Sequence, residues 1–232
     1  MIKKALLTIL FAAFFVTAGS IFVDKAYSAD EKLNTLIKEC KIIFEEIVQV
    51  PEGVPQNLLK KATGIAIFPS TVKGAFFLGG RYGEGVVLHR DPETKQWSPP
   101  AFFTVTGVSF GWQFGGQAID LIFVIPTERG FEGMLKNKLN IGTNTALVAG
   151  PIGRNAELGA DITLKGGIFT YSRAKGLFAG IGLKGLSIEA NKKANMKYYK
   201  DDITTRDILI NNKVTPTEPS KKLINIVTEH TE

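Results

Sequence analysis

Between residues 64 and 117 glycines alternate with large apolar and aromatic side chains, first in GIAIFPSTVKGAFFLGGRYGEGVV and then in PAFFTVTGVSFGWQFGGQ. Glycine at this density disfavours helix by about 1 kcal/mol per residue. In sheets it marks bulges, tight bends and places where another backbone comes close. The segment therefore predicts short, sharply curved strands at 64–68, 74–81, 85–90, 102–114 and 118–125. Turn signals separate them at Pro69-Ser70, Tyr82-Gly83, Asp91-Pro92 and Gly115-Gly116.

The flanks read differently. Leu33, Leu36, Ile37, Cys40, Ile43, Phe44, Ile47 and Val48 recur at three- and four-residue intervals with charges between them, which predicts an amphipathic helix over 30–48. Pro51 ends it, and a short helix over 57–62 follows with Lys60 and Lys61 outward. Further on, the pattern predicts a short helix at 131–139 and a strand at 142–149. In the clearest two-residue period, Leu158, Ala160, Ile162, Leu164 and Ile168 share one face while Glu157, Asp161, Thr163 and Lys165 share the other. A turn at 172–175 leads into a strand over 176–189, then a short YYK segment and a turn of helix at 205–210. A last helix begins with Ser220 as its cap. Many close-spaced strands without a strand-helix rhythm predict an α+β, mainly β, fold: an antiparallel β barrel or sandwich of short glycine-rich strands flanked by N-terminal and C-terminal helices.

Lys3 and Lys4 precede an apolar run over 5–23, and the small residues Ala26, Ser28 and Ala29 follow. This is the pattern of a secretory signal peptide over 1–29, cut after Ser28 or Ala29, with an uncleaved anchor as the competing reading. The expected organisation is this leader, a domain over 30–200 that includes the N-terminal helix, and a C-terminal extension over 201–232. The expected location is the periplasm or cell envelope. The one cysteine, Cys40, excludes an internal disulfide and reads as a small core residue.

Charge is segregated. Residues 30–128 hold 9 Lys/Arg against 11 Asp/Glu, whereas residues 129–200 hold 12 against 4. A basic segment of this kind suggests an anionic partner, phospholipid headgroups or nucleic acid.

Six ordered blocks carry a family resemblance: GIAIFPS (64–70), GGRYGEGVV (79–87), WSPPAFF (97–103), GVSFGWQFGGQAIDLIFVI (107–125), ALVAGPIGR (146–154) and YSRAKGLFAGIGLKG (171–185). Over residues 33–199 the chain resembles the SYLF domain family. The resemblance implies a lipid-binding module. Eukaryotic members bind phosphoinositides, partly through an N-terminal amphipathic helix, and some bind actin. For a chain of the exported bacterial type it implies phosphatidylglycerol or cardiolipin as the lipid.

Catalytic patterns fare poorly. Gly107-Val108-Ser109-Phe110-Gly111 matches the G-x-S-x-G elbow, but that motif needs a strand, a sharp turn and a helix. Here WQFGGQ continues the strand pattern, and only His89 and His230 are available as a base. Two histidines and one cysteine offer no metal-ligand spacing, and the glycines at 79, 80, 83 and 85 lack the Gly-Lys-Ser/Thr of a phosphate loop. No catalytic residue, metal or cofactor is expected. The residues expected to meet anionic phospholipid or a membrane surface are Lys32, Lys38, Lys41, Lys60, Lys61, Arg81, Arg154, Lys165, Arg173, Lys175 and Lys184. Nucleic acid is not expected, because the leader removes the chain from it. Protein partners and oligomeric state are left open. The alternatives are a serine esterase using Ser109 and an envelope protein-interaction module.

Overall fold

A computed structural model describes residues 29–50, 53–73, 80–108, 118–136, 139–140, 147–151, 167–174, 177–180, 186–199 and 202–232. The expected leader, Ser109, the turn at Gly115-Gly116 and most of the alternating segment around 158–168 lie outside these residues.

Among the described residues nine strands form one sheet: β1 (Gly64–Lys73), β2 (Gly80–His89), β3 (Ala101–Val108), β4 (Ala118–Ile125), β5 (Leu139–Asn140), β6 (Leu147–Ala149), β7 (Ile168–Ala174), β8 (Leu177–Gly180) and β9 (Leu186–Ala190). Their order is β5-β9-β3-β2-β1-β4-β7-β6, with β8 also paired to β7. Every pairing is antiparallel except β6 with β7. The sheet curls into a half-barrel, so the architecture is the expected α+β, mainly β, arrangement. It is one continuous sheet rather than two stacked ones.

Six helices among the described residues pack on it: α1 (Ala29–Gln49), α2 (Gln56–Lys60), α3 (Glu128–Leu135), α4 (Lys192–Tyr199), α5 (Thr205–Leu209) and α6 (Glu218–Thr231). They explain why the central strands are apolar throughout. Ile65, Ile67, Val86, Leu88, Ile122 and Val124 point to a first face, where they pack under Ile37, Phe44 and Ile47 of α1 and Leu223 and Val227 of α6. Ala66, Phe68, Val87, Phe103, Leu121 and Phe123 point to a second face, closed by Phe131 and Met134 of α3 and Ile208 and Leu209 of α5. Burial on both faces suppresses the polar alternation of a half-wet strand.

Two expected turns are instead strand interior. At Pro69-Ser70, β1 carries one extra residue relative to β4 between Phe68 and Thr71. Proline cannot donate to the ladder, so the strand bulges rather than turns. Ser70 takes a φ of 46°, and its N–H leaves the ladder for Asp120 Oδ1 at 2.8 Å. At Tyr82-Gly83, β2 runs on in register with β3. Its glycines serve close approach: a Cβ on Gly85 would meet the Ile67 carbonyl oxygen at 2.2 Å. The turn at Asp91-Pro92 forms as expected, with Asp91 Oδ1 accepting from the amides of Glu93 and Thr94.

The chain ends also differ from the sequence reading. Tyr198 and Tyr199 belong to an eight-residue helix, α4, held by Asn195, whose side chain accepts from Phe102 N–H at 2.7 Å and donates to Phe102 O at 3.2 Å. The last helix begins at Glu218, before Ser220, with Pro219 in its first turn. Ser220 is buried beside Tyr198 and Thr217 rather than capping.

Candidate functional site

The first face carries α1, α4 and α6 in one layer. The inward stripe of α1, Leu33, Ile37, Cys40, Ile43, Phe44 and Ile47, is buried to 8% exposure or less. Cys40 is the core residue expected, its Sγ 3.6 Å from Ile67 O, and burial pushes its thiol well up. Burying five large apolar side chains at about 1.5–3 kcal/mol each is comparable to the net stability of a whole domain, about 5–15 kcal/mol. The helix therefore stays docked. Its outward side presents Lys38 and Ile42, the latter 51% exposed.

Beside α1 lies α4, joined to it by Tyr198, whose hydroxyl donates to Asn34 Oδ1 at 2.9 Å. The inward residues of α4 are Asn195 and Tyr198, which leaves Lys192, Lys193, Met196 and Lys197 exposed. None of the three lysines has an ion-pair partner among the described residues, and neither has Lys38. Ile42, Tyr82 and Met196 are the large apolar side chains exposed among the described residues. Ile42 and Met196 belong to this layer, on α1 and α4, whereas Tyr82 is in β2, linked to the start of α1 through Glu84 and Lys32.

The residues expected from sequence divide into several groups. Lys32 pairs with Glu84 at 2.9 Å, and Lys41 pairs with Glu45 one turn along α1. Lys60 and Lys61 lie at the opposite end of the sheet, lining a cavity of about 520 Å³ with Arg90 and Lys95. Arg90 donates there to Lys60 O at 3.0 Å and Lys95 O at 3.2 Å, so its charge faces main-chain carbonyls at the end of α2. Arg173 is drawn inward: its Nε donates to Asp120 Oδ2 at 2.5 Å, and its guanidinium also pairs with Glu46 of α1. Arg81 is placed in β2 by its backbone alone, and Arg154, Lys165, Lys175 and Lys184 lie outside the described residues. The sequence reading missed Lys192, Lys193 and Lys197; their spacing around Met196, with Asn195 and Tyr198 opposite, was the available signal.

A cleft of about 420 Å³ opens along one flank of α1, lined by Lys32, Leu36, Glu39, Pro69, Tyr82 and Glu84 among others. Glu84 accepts from Lys32 Nζ and, at 3.2 Å, from the Tyr82 hydroxyl. Glu39 has neither a hydrogen-bond nor an ion-pair partner among the described residues. Burial, and secondarily the charge of Asp120, hold its carboxyl above the usual range. Burial raises Asp120 as well, against the pull of the Ser70 amide.

His89, one of the two histidines that the esterase alternative could use as a base, is 4% exposed. Its Nδ1 faces Leu209 O at 3.2 Å, its Nε2 faces both Glu128 carboxylate oxygens at 3.2 Å, and its ring lies on Phe131. Both nitrogens are engaged in fastening α3 and α5 to β2. His230 is in the last turn of α6, its ring against Phe44, and not at a frayed end. No helix among the described residues is long and apolar enough to cross a membrane.

One curled, mainly antiparallel sheet, apolar on both faces and bearing a lysine-studded helical layer, defines an α+β domain with lysines on its outer layer that have no ion-pair partner among the described residues. A family model described as "Ysc84: Las17-binding protein actin regulator" matches residues 106–230. SH3 domain-containing YSC84-like protein 1 of Bos taurus is 34% identical over 180 residues, covering 77% of this chain and 52% of that protein. Its Xenopus laevis counterpart is 35% identical over 181 residues, 77% of this chain and 53% of that protein. LAS seventeen-binding protein 3 of Saccharomyces cerevisiae is 32% identical over 190 residues, 81% of this chain and 41% of that protein. The chain belongs to the Ysc84, or SYLF-domain, family. It spans about half the length of the curated relatives it matches.

Proposed function

We propose that this protein is an exported, non-catalytic module that binds anionic phospholipid through the outer surface of its α1–α4 layer. The observation that carries this reading is a set of exposed lysines without an ion-pair partner among the described residues, Lys192, Lys193 and Lys197 beside the exposed Met196 on α4 and Lys38 with the exposed Ile42 on α1. Near an anionic bilayer each lysine contributes about 1 kcal/mol. Four together contribute about 4 kcal/mol, roughly a thousandfold in partition. The helix participates from its polar side while its apolar stripe remains in the core. Export rests on the leader pattern over 1–29. Engagement of both His89 nitrogens in structural contacts supports a role without bond chemistry.

Co-sedimentation with vesicles tests the reading. Binding should rise with the phosphatidylglycerol fraction and fall with salt. Equal binding to neutral phosphatidylcholine vesicles would reject it. Protein capture is the second reading, favoured by a family description that names Las17 binding. Salt-insensitive retention of one envelope protein, without lipid, would support that alternative.

A further inference from the structure

The flank cleft of α1 presents a combination of groups that the lysine surface does not use. One wall is α1, with Lys32 and Glu39 two turns apart on the same side; the other is the β1 bulge at Pro69-Ser70 and Tyr82 to Glu84 of β2. Asp120, behind the bulge, is matched by Arg173. Glu84 is matched by Lys32. Glu39 alone of these carboxylates has no cation facing it among the described residues. Tyr82, 53% exposed, stands with its ring at the same opening.

We propose that this cleft binds a primary ammonium carried next to a phosphate, the chemistry of an ethanolamine headgroup, with Glu39 accepting from the ammonium, Tyr82 flanking it and Lys32 facing the phosphate. A primary ammonium brings three N–H donors to carboxylate oxygens, whereas a quaternary choline nitrogen brings none. A single aromatic ring is not the cage that holds quaternary nitrogen. Lys32 can keep Glu84 and still reach the phosphate, because its ammonium has further donors and its side chain is 67% exposed. The proposal rests on the membrane reading only for the source of the ligand, a lipid or a free headgroup.

Two measurements separate the site from the membrane reading. In the first, full-length protein is co-sedimented with vesicles of fixed phosphatidylglycerol content whose remainder is phosphatidylethanolamine or phosphatidylcholine. The ethanolamine vesicles should bind about tenfold better, the equivalent of one charge-assisted hydrogen bond. Glu39→Gln should erase that preference and leave the dependence on phosphatidylglycerol and salt intact. The substitution relieves repulsion from Asp120, so an unchanged or raised melting temperature confirms that the fold is kept. In the second, soluble glycerophosphoethanolamine and glycerophosphocholine are titrated while backbone amide signals are followed. Saturable shifts at Lys32, Glu39, Ser70 and Tyr82 with the first alone support the site, even if no vesicle is bound. That outcome assigns a free headgroup as ligand and removes the membrane reading. Absence of those shifts together with equal binding to both vesicles overturns the proposal, as does a preference that survives Glu39→Gln. Binding of oligolysine at the cleft without any ethanolamine response overturns the headgroup assignment in favour of a basic peptide.

Discussion

Trp97, in the loop before β3, donates its indole Nε1–H to Thr231 Oγ1 at 2.9 Å, joining positions 134 residues apart. The same hydroxyl donates to Val227 O at 2.8 Å, so the buried Thr231 side chain both accepts and donates. With Leu223 and Val227 in the same core as α1, the tail is structurally part of the domain. Removing residues 216–232 should abolish cooperative urea unfolding, and an unchanged transition would show the tail to be accessory. Thr231→Val should cost about 1–3 kcal/mol, the desolvation penalty of a buried indole N–H without an acceptor.

The glycines of β2 should differ in their tolerance of alanine. A Cβ on Gly85 meets main chain, the Ile67 carbonyl oxygen at 2.2 Å and Phe68 Cα at 2.8 Å, whereas one on Gly83 meets the Thr71 side-chain oxygen at 2.4 Å. A side chain can rotate away more readily than a ladder can widen. Gly85→Ala should cost about 1–3 kcal/mol, and Gly83→Ala less. Chemical denaturation of the two variants checks the order, and equal costs would show that the bulged strand yields as easily as a side chain.

Much of this architecture was legible in the residues. The period of 30–48 gave α1, and the apolar run of β4 was placed at its observed bounds, Ala118–Ile125. Pro69 and Gly83 misled because proline and glycine signal both turns and bulges; only pairing with neighbouring strands separates the two. The candidate surface was less legible. The uneven charge along the chain pointed to a basic segment, but whether a cation is paired depends on acids distant in sequence, such as Glu46 for Arg173 and Glu84 for Lys32. Lys192, Lys193 and Lys197 are exposed because α4 turns Asn195 and Tyr198 inward, and none of the three has an ion-pair partner among the described residues.

Acid should loosen the second face through Asp207. Its carboxylate is paired with Lys213 and accepts from Thr204 and Asn211, and these contacts hold its pKa far below the ordinary 3.8. A depressed value means the contribution is complete above the ordinary aspartate range and fades as pH falls through and below it. Asp207→Asn should therefore be less stable than the parent at neutral pH and converge with it in strong acid. Glu39 and Asp120 have the opposite sign: their raised values favour the folded state more as pH drops. Urea midpoints measured across the acid range distinguish the two groups, since Glu39→Gln should lose its advantage over the parent as pH falls.

Three sets of cations should separate membrane contact from internal support. Replacing Lys192, Lys193 and Lys197 by Gln removes about 1 kcal/mol each and should weaken binding to phosphatidylglycerol vesicles roughly a hundredfold, with stability unchanged because none has an acidic partner among the described residues. Lys60→Gln with Lys61→Gln should have a smaller effect, since these residues line a cavity beside the Gly64 end of β1 that no α4 residue lines. Arg173→Gln should act on folding instead: it leaves Asp120 and Glu46 without their guanidinium, a loss of about 1–3 kcal/mol, and leaves vesicle affinity of the folded protein near the parent value. Co-sedimentation and urea unfolding on the same three proteins check all of this. Undiminished binding by the α4 variant, together with strong loss in the Lys60 and Lys61 pair, would move the contact surface to the other end of the sheet.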